Sequence, residues 1–316
     1  MKKQLVKVLV IVGPTASGKS DLAVELALKL NGEVISADSR QVYKGLDIGT
    51  GKITSAEMKS VPHHLLDITD PYDRFTVNQW KIAAQKAIEN IVSRRKLPII
   101  CGGTGYYIDA LINDLEFPEI QENDEERRDL ESKSLEELSS ILKKLDPNRL
   151  NQLEKNGGVT NPRRLIRAIQ IARSLGAVPV QSNKKEPAYE ATWIGLMPPD
   201  DVIKARIHAR LIQRLNNGMV EEVIRLNTKA PEGASVTHAR LQELGLEYRY
   251  ISDFLQNKLT REELIFMLDT RIWQYARRQK TWWRRNKAIR WFTGPFRPEL
   301  LDEIVSNVKE NTFQNR

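Results

Sequence analysis

Residues 13–20 read GPTASGKS, directly after an apolar run and at the start of a helix-length segment, so they satisfy the phosphate-loop pattern G-x-x-x-x-G-K-[ST] in its proper context. Gly13 and Gly18 permit the tight curl by which the backbone through Pro14, Thr15, Ala16 and Ser17 turns N–H groups toward phosphate oxygens. The helix that follows adds its positive end. Lys19 supplies a cation, and the Ser20 hydroxyl is the expected ligand for Mg2+. The motif implies a bound di- or triphosphate and leaves ATP hydrolysis open.

Two more loops carry side chains suited to chemistry. SADSRQVY, residues 36–43, puts Asp38, Ser39, Arg40 and Gln41 after a second apolar run, at the rim beside the phosphate loop. An aspartate there can hold Mg2+ through water, take a proton from a nucleophile, or cap a helix; position alone does not separate these. GGTGYY, residues 102–107, follows a third apolar run and places Thr104 at the same rim, where its hydroxyl can donate to a phosphate or accept from a substrate amine. Arg206, Arg210 and Arg214 are four apart and share a helical face, a stripe that either faces solvent or closes on phosphates. Arg163, Arg164 and Arg167 cluster at the start of another helix. His63 and His64 are adjacent and diverge too much for a metal pair, so they are read as structural.

The elements that position these groups follow from hydrophobic pattern. Runs at 8–12, 33–36 and 97–101 are short, apolar and end in small or polar residues, as buried parallel strands do. Helix-length segments, 20–30 with leucines at 22, 26 and 30 and also 79–94, lie between them. Further strands are expected at 192–196 and 289–292. The alternation predicts an α/β fold, a P-loop parallel sheet flanked by helices, with ligands at the carboxyl ends of the strands. From 116 to 187 the strand pattern stops: Ser134 and Glu137 form a capping box ahead of Leu135, Leu138, Leu142 and Leu145, and Asn161-Pro162 opens a helix that Gly176 closes. A helical insertion domain at 116–187 is expected within a core made of 1–115 and 188–316. Residues 200–227 read as one long helix in a helical C-terminal region.

With 41% hydrophobic and 28% charged residues in 316, the chain is a globular protein rather than a disordered one. Its apolar runs of about five residues fall far short of the roughly 20 that span a bilayer, so no membrane association is expected. The basic N-terminus lacks the apolar length of a signal peptide and leads straight into the phosphate loop, pointing to a cytoplasmic protein. The single cysteine, Cys101, excludes an internal disulfide and a cysteine zinc cluster. Residues 271–290 hold six Arg and two Lys with no acid, equal to the whole chain's net charge of +8. Basic residues interleaved with Trp273, Trp282 and Trp283 suit an RNA backbone and unstacked bases, or else a solvated helix whose tryptophans belong to the core.

These motifs together resemble the tRNA dimethylallyltransferase (tRNA isopentenyl transferase) family. The likeness runs through GPTASGKS, DSRQVYKGLDIGTGK at 38–52, VPHHLLDITDP at 61–71, GGTGYYIDAL at 102–111, NPRRLIRAIQ, RIHARLIQRLNNGMVEEV and YARRQKTWWRR, in order along nearly the whole chain. It implies transfer of the dimethylallyl group of dimethylallyl diphosphate to the exocyclic N6 amine of the adenosine immediately 3′ of the anticodon. On this resemblance residues 13–20 hold the diphosphate, with Mg2+ at Ser20, and one or both of Arg206 and Arg210 neutralise the leaving group. Asp38 accepts the amine proton and Thr104 positions the amine or the bridging oxygen. Asp38, Ser39, Arg40 and Gln41, together with Arg127 and the stretch Arg163, Arg164, Leu165, Ile166 and Arg167, would contact the tRNA anticodon stem-loop, as would Arg277, Arg278, Gln279 and Trp282. A monomer is expected. The chain departs from the family's usual pattern in ELGLEYR at 243–249, in Arg214 where methionine is common, and in Arg40. A small-molecule kinase or adenylate prenyltransferase shares the phosphate loop but needs no basic Trp/Arg segment. A non-catalytic P-loop RNA-binding protein leaves Asp38 and Thr104 without a task.

Overall fold

The computed structural model describes residues 5–118, 120, 123–179, 188–228, 235–294 and 298–313. Six parallel strands form one sheet in the order β3-β2-β4-β1-β5-β6: β1 Val6–Val12, β2 Gly32–Ser36, β3 His63–His64, β4 Leu97–Gly102, β5 Tyr189–Leu196 and β6 Arg290–Phe292. The expected strands are all present. β3 was not foreseen, because two residues are too short to show an alternation. Along β1 the side chains divide between two cores: Val8, Val10 and Val12 face one, Leu9 and Ile11 the other. Both sheet faces are therefore covered, as the unbroken apolar run of β1 requires.

The helices are α1 Lys19–Leu30, α2 Ser55–Met58, α3 Val77–Ser93, α4 Gly105–Ile112, α5 Asp124–Glu131, α6 Leu135–Leu145, α7 Pro147–Lys155, α8 Pro162–Leu175, α9 Asp200–Asn216, α10 Met219–Thr228, α11 His238–Leu244, α12 Leu246–Leu255, α13 Arg261–Trp283 and α14 Pro298–Phe313. α1 and α14 cover the face that carries Leu9 and Ile11. α3, α4 and the helices α9 to α13 cover the other. Thr76 caps α3 reciprocally with Gln79, starting it two residues before the expected position. The expected single helix 200–227 is two helices. Gly218 adopts φ 92°, a left-handed conformation that breaks the ladder after Asn217.

The chain divides into two compact units, residues 1–114 with 186–316, and residues 115–185. The second is a small helical body of α5 to α8 around Leu130, Leu138, Leu142, Leu150, Leu153, Leu165 and Ile169. Its local signals form as read: Ser134 and Glu137 cap α6 reciprocally, and the Asn161 side chain accepts from Arg163 N–H at the start of α8. No helix among the described residues is long and apolar enough to cross a membrane.

Candidate active site

β1 lies between β4 and β5, and the loops leaving the carboxyl ends of β1, β2 and β4 meet at one rim. The phosphate loop turns there through Ala16 at φ 61° and Gly18 at φ 90° into α1. Gly13 is required by close approach: a Cβ on it would lie 2.7 Å from Leu196 O and 2.8 Å from Ser17 Oγ. Ser17 Oγ is buried with no hydrogen-bond partner among the described residues, a polar atom left unsatisfied inside the curl. The Lys19 ammonium donates to Pro14 O at 3.2 Å. Burial pushes its pKa below the usual lysine value and nearby Arg210 adds to this, while Cys101 and Asp38 oppose it. An ammonium held this way gains from an incoming anion. The Arg206 guanidinium reaches the same loop, donating to Ala16 O at 3.4 Å.

The loops after β2 and β4 are fastened together by the backbone. Thr104 N–H donates to Ala37 O at 3.1 Å and Ala37 N–H to Cys101 O at 2.8 Å. The contact tolerates only glycine at Gly102, where a Cβ would sit 2.1 Å from Ala37 O. Ser39 N–H then donates to Thr104 Oγ1 at 3.1 Å, so the threonine hydroxyl is anchored on the Asp38 loop. Asp38 Oδ1 accepts from Arg40 N–H at 2.8 Å and Gln41 N–H at 3.4 Å, closing a turn rather than capping a helix. The other oxygen, Oδ2, takes no hydrogen bond among the described residues and can accept a proton. Gln41 is tied inward by Ser36 Oγ at 3.2 Å, and Arg40 donates to Glu243 O at 3.4 Å.

Several residues at this rim were given no role at the site from sequence. Tyr275, on α13, hydrogen-bonds Thr104, and its pKa is pushed up by burial first and by the Asp38 charge next. Desolvation likewise pushes up the pKa of Glu247, which is half-buried, while the nearby Arg214 pulls it down; Arg214 Nη1 lies 3.7 Å from Glu247 Oε1. Thus two of the places where the chain departs from the family's usual pattern, Arg214 and the segment 243–249, are joined by an ion pair. Arg214 also donates to Gly49 O at 3.4 Å. The loop at 47–49 is held by Glu222, whose carboxylate accepts from the N–H groups of Asp47, Ile48 and Gly49 at 2.7–3.0 Å and from Tyr248 OH at 2.8 Å. A lone Glu on a helix gives no spacing to read; the N–H triad it binds could be inferred only from the glycine-rich turn.

The residues expected to touch RNA divide into two groups. Arg163, Arg164 and Arg167 are exposed on α8, whereas Leu165 and Ile166 between them are buried in the helical unit's core. The helical period sends these two the other way, so only the arginines of that stretch offer side chains to a partner. Arg127 pairs with Glu131 at 2.8 Å. On α13, Arg277 and Arg278 are exposed. Gln279 is buried, and Trp282 packs on Gly105 and donates from Nε1 to Asp109 Oδ2 at 3.0 Å.

The donors available to Mg2+ are few. Ser20 is exposed at the first turn of α1, and no group of three or more His, Cys, Asp or Glu among the described residues could hold a metal. That set fits a hard cation that keeps waters and takes phosphate oxygens beside a single hydroxyl, not an all-protein cage.

A family model described as IPP transferase matches residues 41–286, from the Asp38 loop through α13. The chain belongs to the IPP transferase family. A tRNA dimethylallyltransferase of Anoxybacillus flavithermus is 39% identical over 96% of this chain and 94% of its own length. One of Shewanella sediminis is 41% identical over 90% and 93%. Among solved structures, the full-length tRNA isopentenylpyrophosphate transferase of Bacillus halodurans superposes with a TM-score of 0.71 at 35% identity, covering 96% of both chains. A eukaryotic dimethylallyltransferase acting on tRNA gives 0.77 at 27% identity, covering 98% of this chain and 77% of that one. These IPP transferase relatives extend over both compact units, so the helical unit is part of what is shared.

Proposed function

We propose that this transferase moves the dimethylallyl group from dimethylallyl diphosphate to the N6 amine of the adenosine immediately 3′ of the anticodon in tRNA, releasing diphosphate. The observation that carries the proposal is the fastening of the Asp38 and Thr104 loops beside the phosphate loop, in a chain of the IPP transferase family. Residues 13–20 bind the diphosphate through inward N–H groups, the Ser17 hydroxyl and Lys19, and Arg206, which donates to Ala16 O, neutralises it together with Arg210, a charge near Lys19. Ser20 would hold Mg2+, which would supply further charge neutralisation on the leaving group.

An allylic carbon is stabilised by resonance as its bond to oxygen breaks, so the main demand on the protein is to balance negative charge on the departing diphosphate. The bond between the allylic carbon and the diphosphate oxygen breaks, and a bond from the N6 nitrogen to that carbon forms. The surplus N6 proton passes to Asp38 Oδ2. Thr104 Oγ1, fixed by Ser39 N–H and Tyr275, orients the amine. The target base has to leave its stack to reach this rim. The exposed arginines Arg277 and Arg278, with Arg163, Arg164 and Arg167, supply positive charge for the RNA backbone.

The test is incubation with radiolabelled dimethylallyl diphosphate and unmodified tRNA, AMP or ATP as acceptor. Label is expected in tRNA alone. Label in AMP or ATP, or donor-independent ATP hydrolysis, would replace this reading with a small-molecule one.

A further inference from the structure

On α13, Tyr275, Gln279 and Trp282 fall at i, i+4 and i+7, one side of the helix, and that side lies on the loop 102–107. Gln279 is 5% exposed, and both ends of its amide are used. Oε1 accepts from Thr15 N–H at 2.8 Å, and Nε2 donates to Gly103 O at 3.0 Å. One side chain therefore joins the phosphate loop to the loop that carries Thr104. The seat is close: a Cβ on Gly103 would lie 2.1 Å from Gln279 Nε2. Because Thr15 N–H is engaged by Gln279, the phosphates are left to the remaining groups of the loop.

We infer that Gln279 is a positioning residue for the transfer, fixing the separation between the diphosphate and the amine held at Thr104. The inference rests on the proposed function. A primary amide offers a neutral donor and a neutral acceptor on separate atoms, so it can bridge an N–H and a C=O at once, and asparagine is one methylene shorter. Removing it leaves a buried N–H and a buried C=O unpaired, so the two loops are free to part. Rate depends steeply on that separation, since a misplacement of about 1 Å can cost on the order of 10²-fold. The neighbouring Arg277 and Arg278 are exposed, Arg277 on the opposite side and Arg278 over the Tyr275 ring, so the helix that carries this inward amide also presents charge to solvent.

The test compares Gln279→Met and Gln279→Glu with the parent in single-turnover transfer from labelled dimethylallyl diphosphate to unmodified tRNA, with separate binding measurements for each substrate. Methionine keeps the length and loses both hydrogen bonds. A fall in rate of about 10- to 100-fold is expected, with tRNA and donor dissociation constants within about twofold of the parent. A carboxylate at 279 can accept from Thr15 but cannot donate to Gly103, whereas its protonated form can do both. The activity of Gln279→Glu relative to the parent should therefore rise as pH falls from about 8 to about 6, a range that burial makes reachable for a carboxyl. A rate within about twofold of the parent overturns the inference. So does weakened tRNA binding with an unchanged rate at saturation, which would make Gln279 an RNA contact. If Gln279→Met does not fold, the pH profile of Gln279→Glu decides alone. Failure of the functional reading is separate: the parent itself would then transfer no label to tRNA.

Discussion

Asp38 divides its two oxygens between structure and chemistry. Oδ1 closes the turn through Arg40 N–H, while Oδ2 is unengaged among the described residues. Asp38→Asn preserves the turn, because an amide oxygen accepts the same bonds, and puts an amino group where the proton acceptor was. We expect kcat to fall by a factor on the order of 10² to 10⁴ with tRNA affinity and thermal stability nearly unchanged; near-normal turnover would remove Asp38 from the mechanism. Lys19 is the complementary case. Its pKa is held down by burial, and it donates to the neutral Pro14 O, so a bound diphosphate supplies the counter-charge it lacks. Lys19→Ala should weaken donor binding in equilibrium titration, and inorganic pyrophosphate should compete with the donor in the parent. Pyrophosphate that fails to compete would mean the loop recognises something other than the phosphates.

At the scale of elements, what could be read in the sequence was what is local. The phosphate loop, the reciprocal caps at Ser134 and Glu137 and the strand runs each lie within a few residues, so spacing alone reveals them. Contacts that join distant positions leave no such trace: Gln279 to Thr15 and Gly103, and Glu222 to the loop at 47–49. The break at Gly218 did have a signal, the Asn-Gly pair at 217–218, overridden by an apolar period that continues across it. Glu33 is a further unheralded junction. It is fully buried on β2 and pairs with Arg94 after α3, with Lys96 at 2.8 Å and with His64 of β3 at 2.7 Å. The hydrogen bond from Arg94 is the largest influence holding its pKa far below the usual carboxylate range. With the folded pKa depressed, its stabilisation is complete above the unfolded value of about 4.3 and is lost as pH falls through the folded one. Glu33→Gln should therefore cost about 3 kcal/mol near neutral pH, and the difference from the parent should shrink on acidification. Denaturant unfolding at several pH values reads this directly, and a gap that widens toward low pH would contradict it.

For the molecule as a whole, the net charge of +8 equals that of residues 271–290, and the structure distributes those charges unevenly. Lys280 is spent on Asp200, and Arg290 pairs with Glu303 at 3.3 Å. Arg285 lies over the Trp282 ring, 4.1 Å from its centroid, and Arg278 over Tyr275 at 5.8 Å. Trp283 is wholly buried in the core, whereas Trp282 is half-buried beneath Arg285. The segment thus serves both purposes considered for it: its tryptophans pack, and its arginines at 277, 278, 284 and 285 form no ion pair among the described residues. Charges exposed and unpaired on a rigid helix are suited to displacing counterions from RNA. Neutralising Arg277 and Arg278 together, as Arg→Gln, removes no packing contact beyond the ring stacked by Arg278, so the fold should persist. Their loss should weaken tRNA binding and flatten its salt dependence, the log–log slope dropping by about 0.7 to 0.9 for each phosphate contact removed. Single-turnover rate at saturating tRNA should stay near that of the parent, in contrast to Gln279→Met one residue further along. An unchanged affinity and slope would mean that these arginines only solvate α13. A loss of donor binding with tRNA affinity intact would turn them toward the diphosphate instead.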